Sequence, residues 1–342
     1  MDQNFDIVKK VADILKLREK TEAITALFLG AKAGAFFRSL QYSTLGSFGL
    51  RTDFSSLTPL ERCHECYRIL CDPLFTLQDV DFVLTEKDLL KEIRAAVPEL
   101  CIAELTKRGI FNPILSVSIY KEFEEAFQQM EMRELQEFVV VWPKKGGDMS
   151  RSLTGGRDAY ALIKVFGDIA AREYNVNQRF RYLEENKALT KIITDLRNTD
   201  ILIVGADQIW DQHVFRYLFP HSIGGVWYVN DEAPAKDSAL SEYLKDCQAE
   251  LILGPDGQYE NFFRSLSWHI TGTVPSYPPV VEQVKQESEE SQNAIEKLAD
   301  EIGGLRKDIE GLRSELRQFL GSSLAQSHAI TANTTSTTAE EI

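Results

Sequence analysis

The chain has 342 residues, 44% hydrophobic and 10% aromatic, which is material for about two ordinary domains or one large α/β domain with extensions. Its 38 Lys+Arg against 52 Asp+Glu leave a formal net charge of −14, which argues against a nucleic-acid wrapper because phosphate binding calls for a basic excess or a basic face. No apolar run approaches the roughly 18–20 residues of a membrane span, MDQNFDIVKK lacks a signal-peptide core, and an odd count of 5 cysteines suits a reducing compartment, so a soluble cytoplasmic protein is expected.

In chain order the expected strands are Ile24–Leu29, Ile114–Ser118, Phe138–Trp142, Tyr160–Phe166, Asp200–Val204, Val226–Val229 and Glu250–Leu253. Several are continuous apolar runs, as in a mostly parallel sheet covered by helices on both faces. Helical patterns fall between them. DLLKEIRAAVPELCIAELTKRG is one, which Pro98 should break, and YKEFEEAFQQMEMRELQEF and NQRFRYLEENKALTKIITDLRN are others. The fold class is therefore α/β, a Rossmann-like and mostly parallel sheet with a helical insertion around residues 50–110. Ligands in such sheets sit at the carboxyl ends of the strands.

Composition changes near residue 274. Residues 1–273 read as the α/β domain, and 274–293, opening on VPSYPPVV, as a Pro-rich and polar linker. Residues 294–320 read as a coiled coil, and 321–342, Ser/Thr/Ala-rich without apolar period, as a disordered tail.

Two strand ends look capable of holding a ligand. Ile24–Leu29 runs into Gly30-Ala31-Lys32-Ala33-Gly34-Ala35, where small residues let backbone amides approach a phosphate; the spacing is not GxGxxG, and a tight turn packed on its own helix is the other reading. Asp200–Val204 runs into Gly205-Ala206-Asp207, where the carboxylate suits either a ribose hydroxyl or a helix N-cap. Tyr160–Phe166 ends in Gly167-Asp168 with no histidine beside it; the 5 histidines are His64, His213, His221, His269 and His328.

The order of these elements resembles the SIR2-like family, the NAD-consuming fold of sirtuins and of bacterial NAD-depleting defence proteins. LFLGAKAG is similar to the family's strand and Gly-Ala-Gly-x-Ser loop, ILSVSIYKEFEEAF to its Thr-Thr-Asn-Tyr-Asp strand end and helix, and ALIKVFGDI to its Lys-x-His-Gly-Asp turn. DILIVGADQIWDQHVFRYLF through GGVWYV to GPDGQYENFFRSL resembles its C-terminal half. The resemblance covers roughly residues 20–270. It implies binding of NAD or an ADP-ribose-like nucleotide, with Gly30, Ala31, Gly34, Ser118, Gly167, Asp168, Gly205 and Asp207 as the cofactor-binding candidates.

The departures carry the functional expectation. The family's catalytic histidine, a general base, falls on Phe166, its asparagine on Ser118, the following aspartate on Tyr120, and the middle glycine and the serine of its loop on Lys32 and Gly34. Phenylalanine transfers no proton, and loss of one general acid/base commonly costs about 10²–10⁴ in rate. No catalytic residue is assigned, and a catalytically silent module that binds NAD or a related nucleotide is expected. The alternatives are an NAD hydrolase using a histidine brought in by folding, His213 or His269, and a purely structural oligomeriser whose pocket Phe166 and Lys32 fill. The resemblance implies a place in a bacterial antiviral defence assembly.

No metal site is assigned. Cys63-His64-Glu65-Cys66 lacks the second pair a closed zinc site needs, and Leu60, Cys63, Tyr67 and Leu70 share one face of an amphipathic helix. Tyr259, Phe262, Phe263 and Leu266 likewise form a core-facing helical stripe.

The C-terminal pattern is regular. Ile295, Ile302, Ile309 and Leu316 occupy heptad position a, and Leu298, Leu305, Leu312 and Phe319 position d. Ile at a with Leu at d favours a parallel two-stranded coil. Glu301 and Asp308 at g would face Arg306 and Arg313 at e of a parallel partner, and the signs of such pairs select orientation. A homodimer through this seam is expected, with other protein subunits as further partners, and neither nucleic acid nor membrane.

Overall fold

The computed structural model describes residues 7–42, 56–70, 93–143, 159–175, 179–217, 219 and 224–276. Contacts divide the chain into two units, Met1–Tyr277 and Pro278–Ile342. The heptad seam and the tail lie outside the described residues, as do His221 and His328.

Among the described residues seven strands form one sheet: β1 (Thr25–Leu29), β2 (Ile114–Ser116), β3 (Phe138–Val141), β4 (Tyr160–Lys164), β7 (Asp200–Val204), β8 (Val226–Val229) and β9 (Glu250–Ile252). Their order is β3-β4-β2-β1-β7-β8-β9 and every pairing is parallel. This is the expected Rossmann-like α/β class. A separate antiparallel ribbon pairs β5 (Gly167–Asp168) with β6 (Glu173–Tyr174).

The sequence explains the burial. All five residues of β1 and of β7 are buried, so side chains alternate between two apolar faces rather than between core and water. Ala26, Phe28, Ile201, Ile203 and Tyr228 point into one core, and Leu27, Leu29, Leu202, Val204 and Trp227 into the other. Each fully buried large side chain of this kind contributes about 1.5–3 kcal/mol.

The first face is covered by α2 (Ala35–Tyr42), α3 (Pro59–Leu70), α6 (Arg179–Glu185), α7 (Lys187–Asp195), α8 (Gln212–Tyr217) and α9 (Ala239–Asp246). The second is covered by α1 (Ile7–Lys20), α4 (Val97–Lys107), α5 (Glu122–Gln129) and α10 (Tyr259–Thr271). Among the described residues no helix is long and apolar enough to cross a membrane.

Of three helical expectations, one holds and two change in detail. Pro98 stands in the first turn of α4 and the residues just before that helix, 93–96, are not helical, so the expected break falls there, and the proline is accommodated because an N-terminal position has no intrahelical amide bond to lose. The segment from Tyr120 to Phe138 is helical only over α5; Glu131 and Leu135 take positive φ values of 60° and 65°, and the chain turns into β3. The run from residue 177 to 198 is two helices, with the Asn186 side chain accepting from the Leu189 amide to start the second.

From β1 the chain fills one side of the sheet, with β2 beside β1, β3 at the edge and β4 between them, and then crosses back to β7. The direction of winding thus reverses between β1 and β7, and the loops after these two strands meet at the sheet's carboxyl edge, where open α/β sheets bind ligands.

Candidate functional site

The loop after β1 is pressed against the loop after β7. A Cβ on Gly30 would lie 2.4 Å from Ala206 Cα and 2.7 Å from Gly205 O, so only glycine fits there. Gly205 has φ +64°, and a Cβ on it would lie 2.8 Å from the Ala33 nitrogen. Two residues with side chains would hold these loops apart.

Each amide of the β1 loop already has an acceptor inside the protein. Gly30 N donates to Val204 O at 2.9 Å, Lys32 N to Gly205 O at 2.8 Å, Ala33 N to Gly30 O at 3.0 Å and Gly34 N to Ala31 O at 3.0 Å. Ala31 N donates to Asp211 Oδ2 at 2.8 Å, and Ala35 N, at the start of α2, to Glu122 Oε1 at 3.1 Å. Asp211 Oδ2 also accepts from Asp207 N at 2.8 Å, tying the two loops together. Asp211 and Glu122 are fully buried. A pyrophosphate cradled by such a loop needs open amides, and here two internal carboxylates take the positions an anion would use. The residues present do not fit a dinucleotide's pyrophosphate at this loop.

Asp207 closes the β7 turn. Its Oδ1 accepts from Ile209 N at 2.9 Å and Trp210 N at 2.8 Å, and its Oδ2 lies 3.2 Å from His64 Nε2 on α3. Burial would raise this carboxyl, but His64 and the two amides outweigh it and hold it below the ordinary aspartate value. The α3 helix is held on the same loop by Trp210 Nε1 donating to Cys63 O at 3.2 Å. Cys63, Cys66 and Tyr67 are buried in the core as the amphipathic reading expects, and burial pushes the Cys66 thiol up to about 12. Among the described residues no three His, Cys, Asp or Glu side chains are grouped to hold a metal ion.

Beyond β2 and β4 the side chains are spent internally. Ser118 Oγ donates to Glu122 Oε1 at 2.5 Å, and Tyr120 is buried with its ring stacked on Phe36 at 5.6 Å. Phe166 has no exposed surface and packs with Tyr182 at a ring distance of 6.2 Å. Gly167, at φ +99°, lies so close to the Glu173 backbone that a Cβ would sit 2.0 Å from its oxygen. Asp168 accepts from Lys164 Nζ at 2.5 Å and from Ala171 N at 2.8 Å. Lys164 also pairs with Glu124 on α5. Burial pushes the Glu124 carboxyl up to about 7, with Lys164 pulling the other way. His213 stacks on Tyr217 at 6.3 Å, and His269 lies in the last turn of α10.

A cleft of about 310 Å³ opens at the carboxyl ends of β1, β7, β8 and β9, lined by Lys32, Arg38, Gly205, Asn230, Asp231 and Tyr259 among others. Lys32 Nζ reaches across it to Asp231 Oδ1 at 2.8 Å and Asn230 Oδ1 at 3.3 Å. Asn230 is positioned in turn, its Nδ2 donating to Ala206 O at 2.6 Å. Arg38 Nη1 pairs with Glu99 Oε1 at 2.7 Å, and its guanidinium lies 5.1 Å from the Tyr259 ring centre. Tyr259 Oη donates to the same Glu99 oxygen at 2.8 Å. Burial alone would lower the Arg38 pKa, but the Glu99 carboxylate overrides it and keeps the guanidinium protonated.

Of the eight sequence candidates, Gly205 lines this cleft. Gly30, Ala31, Gly34 and Asp207 build the loops beside it; Ser118 is engaged with Glu122, while Gly167 and Asp168 belong to the β5–β6 ribbon. Sequence reading missed Arg38, Glu99, Asn230, Asp231 and the His64–Asp207 contact. The only signal for Asn230 and Asp231 was their place directly after a buried strand.

No protein-family model matches the chain, and no curated protein matches it. Among solved structures the chain is similar to a Sir2 enzyme described for its mechanism and regulation, at 13% identity and TM-score 0.35, over 78% of this chain and 98% of that one. It is similar to a mutant Sir2 homologue in complex with 2'-O-acetyl ADP ribose, at 13% identity and TM-score 0.41, over 76% of this chain and 96% of that one. A Sir2 homologue–NAD complex matches at 14% identity and TM-score 0.35, over 76% of this chain and 93% of that one. These matches are a likeness to Sir2 structures over most of the chain and carry no residue-by-residue correspondence.

Proposed function

We propose that this protein is a catalytically silent, SIR2-like module that binds a nucleotide at the β7–β9 cleft without consuming it, and that its C-terminal heptads make it an oligomerising interaction component of a larger assembly. The observation that carries the reading is Phe166. At the turn where the family resemblance calls for a histidine base, the side chain is a phenylalanine with no exposed surface, packed in the core. It can neither exchange a proton with solvent nor reach a ligand. The cleft, by contrast, keeps carboxylate, amide and ammonium groups of the kind that orient a ribose and its phosphate.

The experiment is incubation of purified full-length protein with NAD and quantification of nicotinamide. Release no faster than the buffer blank is expected. Steady release by homogeneous protein would overturn the silent reading.

One observation favours the alternative of an NAD hydrolase: the His64 imidazole sits 3.2 Å from the buried Asp207 carboxylate at the edge of the same loops. A carboxylate in that position orients an imidazole for proton transfer. Under that alternative, nicotinamide release would be lost in His64→Ala.

A further inference from the structure

The cleft and the β1 loop together specify which nucleotide fits. This inference rests on the nucleotide-binding reading above and narrows it. Three features bear on the ligand.

The first is the loop. All six amides from Gly30 to Ala35 donate to acceptors within the chain, two of them to the buried carboxylates of Asp211 and Glu122. A pyrophosphate entering here would have to displace anions that have no route to solvent. The second is size. At about 310 Å³ the cleft lies at the lower end of the roughly 300–1,000 Å³ found for ligand pockets, which suits one nucleoside and its phosphate rather than two joined nucleotides.

The third is the state of the two cations among the described lining residues. Arg38 is held by Glu99, which is fully buried and also receives Tyr259 Oη and Ala96 N. Lys32 is held by Asp231, whose side chain is 44% exposed. Lys32 itself is 15% exposed and also donates to Asn230 Oδ1, so the solvent-facing Asp231 end of the pair is the one that gives way to another anion. A terminal phosphate carries more charge than a carboxylate at neutral pH and replaces Asp231 on the ammonium. The released Asp231 carboxylate then accepts from a ribose hydroxyl. The first turn of α10 borders the same cleft and its Gln258 N-cap makes no side-chain capping bond, but Glu260 stands in that turn and offsets the positive end of the helix, which leaves Lys32 as the group that decides for the anion.

We infer that the ligand class is a nucleoside 5'-monophosphate, with Lys32 as the residue that selects the single terminal phosphate. Dinucleotides gain nothing from their second half.

Isothermal titration of the full chain with AMP, GMP, CMP and UMP, with the four parent nucleosides, and with ADP-ribose and NAD tests this. At least one monophosphate binds ten-fold or more tightly than its nucleoside, and ADP-ribose and NAD bind no tighter than that monophosphate. Lys32→Gln removes the phosphate preference, so that in the variant the monophosphate binds no tighter than its nucleoside. Should Lys32→Gln fail to fold, the phosphate preference of the unaltered chain must still narrow as salt rises from about 0.05 to about 0.5 M, where charge pairs are screened. NAD or ADP-ribose binding ten-fold tighter than every monophosphate, or a phosphate preference indifferent to both Lys32 and salt, overturns the inference and leaves the nucleotide reading standing. No binding by any of these compounds overturns both.

Discussion

Lys164 Nζ and Asp168 Oδ2 lie 2.5 Å apart with both side chains almost wholly withdrawn from solvent. Lys164 is the last residue of β4, and Asp168 belongs to the ribbon that follows the turn, so their pairing fixes the angle at which the chain leaves the sheet. Glu124 from α5 completes the group on the ammonium's other side. Above about pH 7, where Glu124 carries its charge, removing the cation leaves two buried carboxylates without a counter-charge. Lys164→Met should therefore lower the unfolding free energy by about 3–5 kcal/mol, measured by urea titration. Adding Glu124→Leu to that variant should recover part of the loss, because one of the two stranded charges is then gone.

The same group gives the fold a pH dependence. Burial raises the Glu124 carboxyl to about 7 from an ordinary value of 4.5, against the pull of Lys164. Between those values the folded chain holds a proton that the unfolded chain has released. The associated stability is complete below about pH 4.5 and is lost as pH rises to about 7, and a shift of this size corresponds to on the order of 3 kcal/mol. Glu124→Gln should flatten stability across that window. Urea titrations at several pH values check this, and a variant whose slope matches the unaltered chain would refute the assignment.

Glycines at two sites should respond differently to an added methyl group. At Gly30 a Cβ would meet the backbone of the β7 loop at 2.4 Å, whereas at Gly254, with φ +73°, nothing lies within 4 Å. Gly254→Ala pays only for its left-handed backbone, about 1–2 kcal/mol. Gly30→Ala must push two loops apart and should cost more, at least about 3 kcal/mol, since overpacking adds to displaced hydrogen bonds. The same displacement should abolish the proposed nucleotide binding in Gly30→Ala and spare it in Gly254→Ala.

The proposed coil is tested apart from the cleft. Ile302 occupies a central a position of the heptads, and a lysine there would place a charge in an apolar seam. Light scattering of full-length Ile302→Lys should show half the mass of the unaltered chain. A chain that is monomeric with isoleucine in place would end the dimer proposal.

Local pattern was enough to read the strands and the core-facing helical stripes. The runs of the main sheet were legible because most of them, β1 and β7 above all, are buried on both faces and nearly unbroken apolar, and strand ends shifted by only one or two residues where the chain bends into loops. Cys63, Cys66 and Tyr67, like Tyr259, Phe262, Phe263 and Leu266, were legible as core because their spacing matches one helix face. The turn between Met130 and Phe138 was not, because its side chains also fit a helical period and the departure lies in backbone angles at Glu131 and Leu135.

What fills the β1 loop was settled only by topology. Asp211 is 180 positions from Ala31, and Asp207 is 143 positions from His64. Asn230 is 198 positions from Lys32. Nothing periodic in a sequence marks such partners. They meet because the chain crosses back over β1, setting β7 beside it and β8 beyond β7, and a hydrogen-bonding side chain has no preferred partner until the sheet order places one within 3 Å or so. Hence the chain alone set which segments are strands and which side chains face inward, while the packed sheet decided whether a glycine-rich turn stays open to a phosphate or is closed by carboxylates of its own.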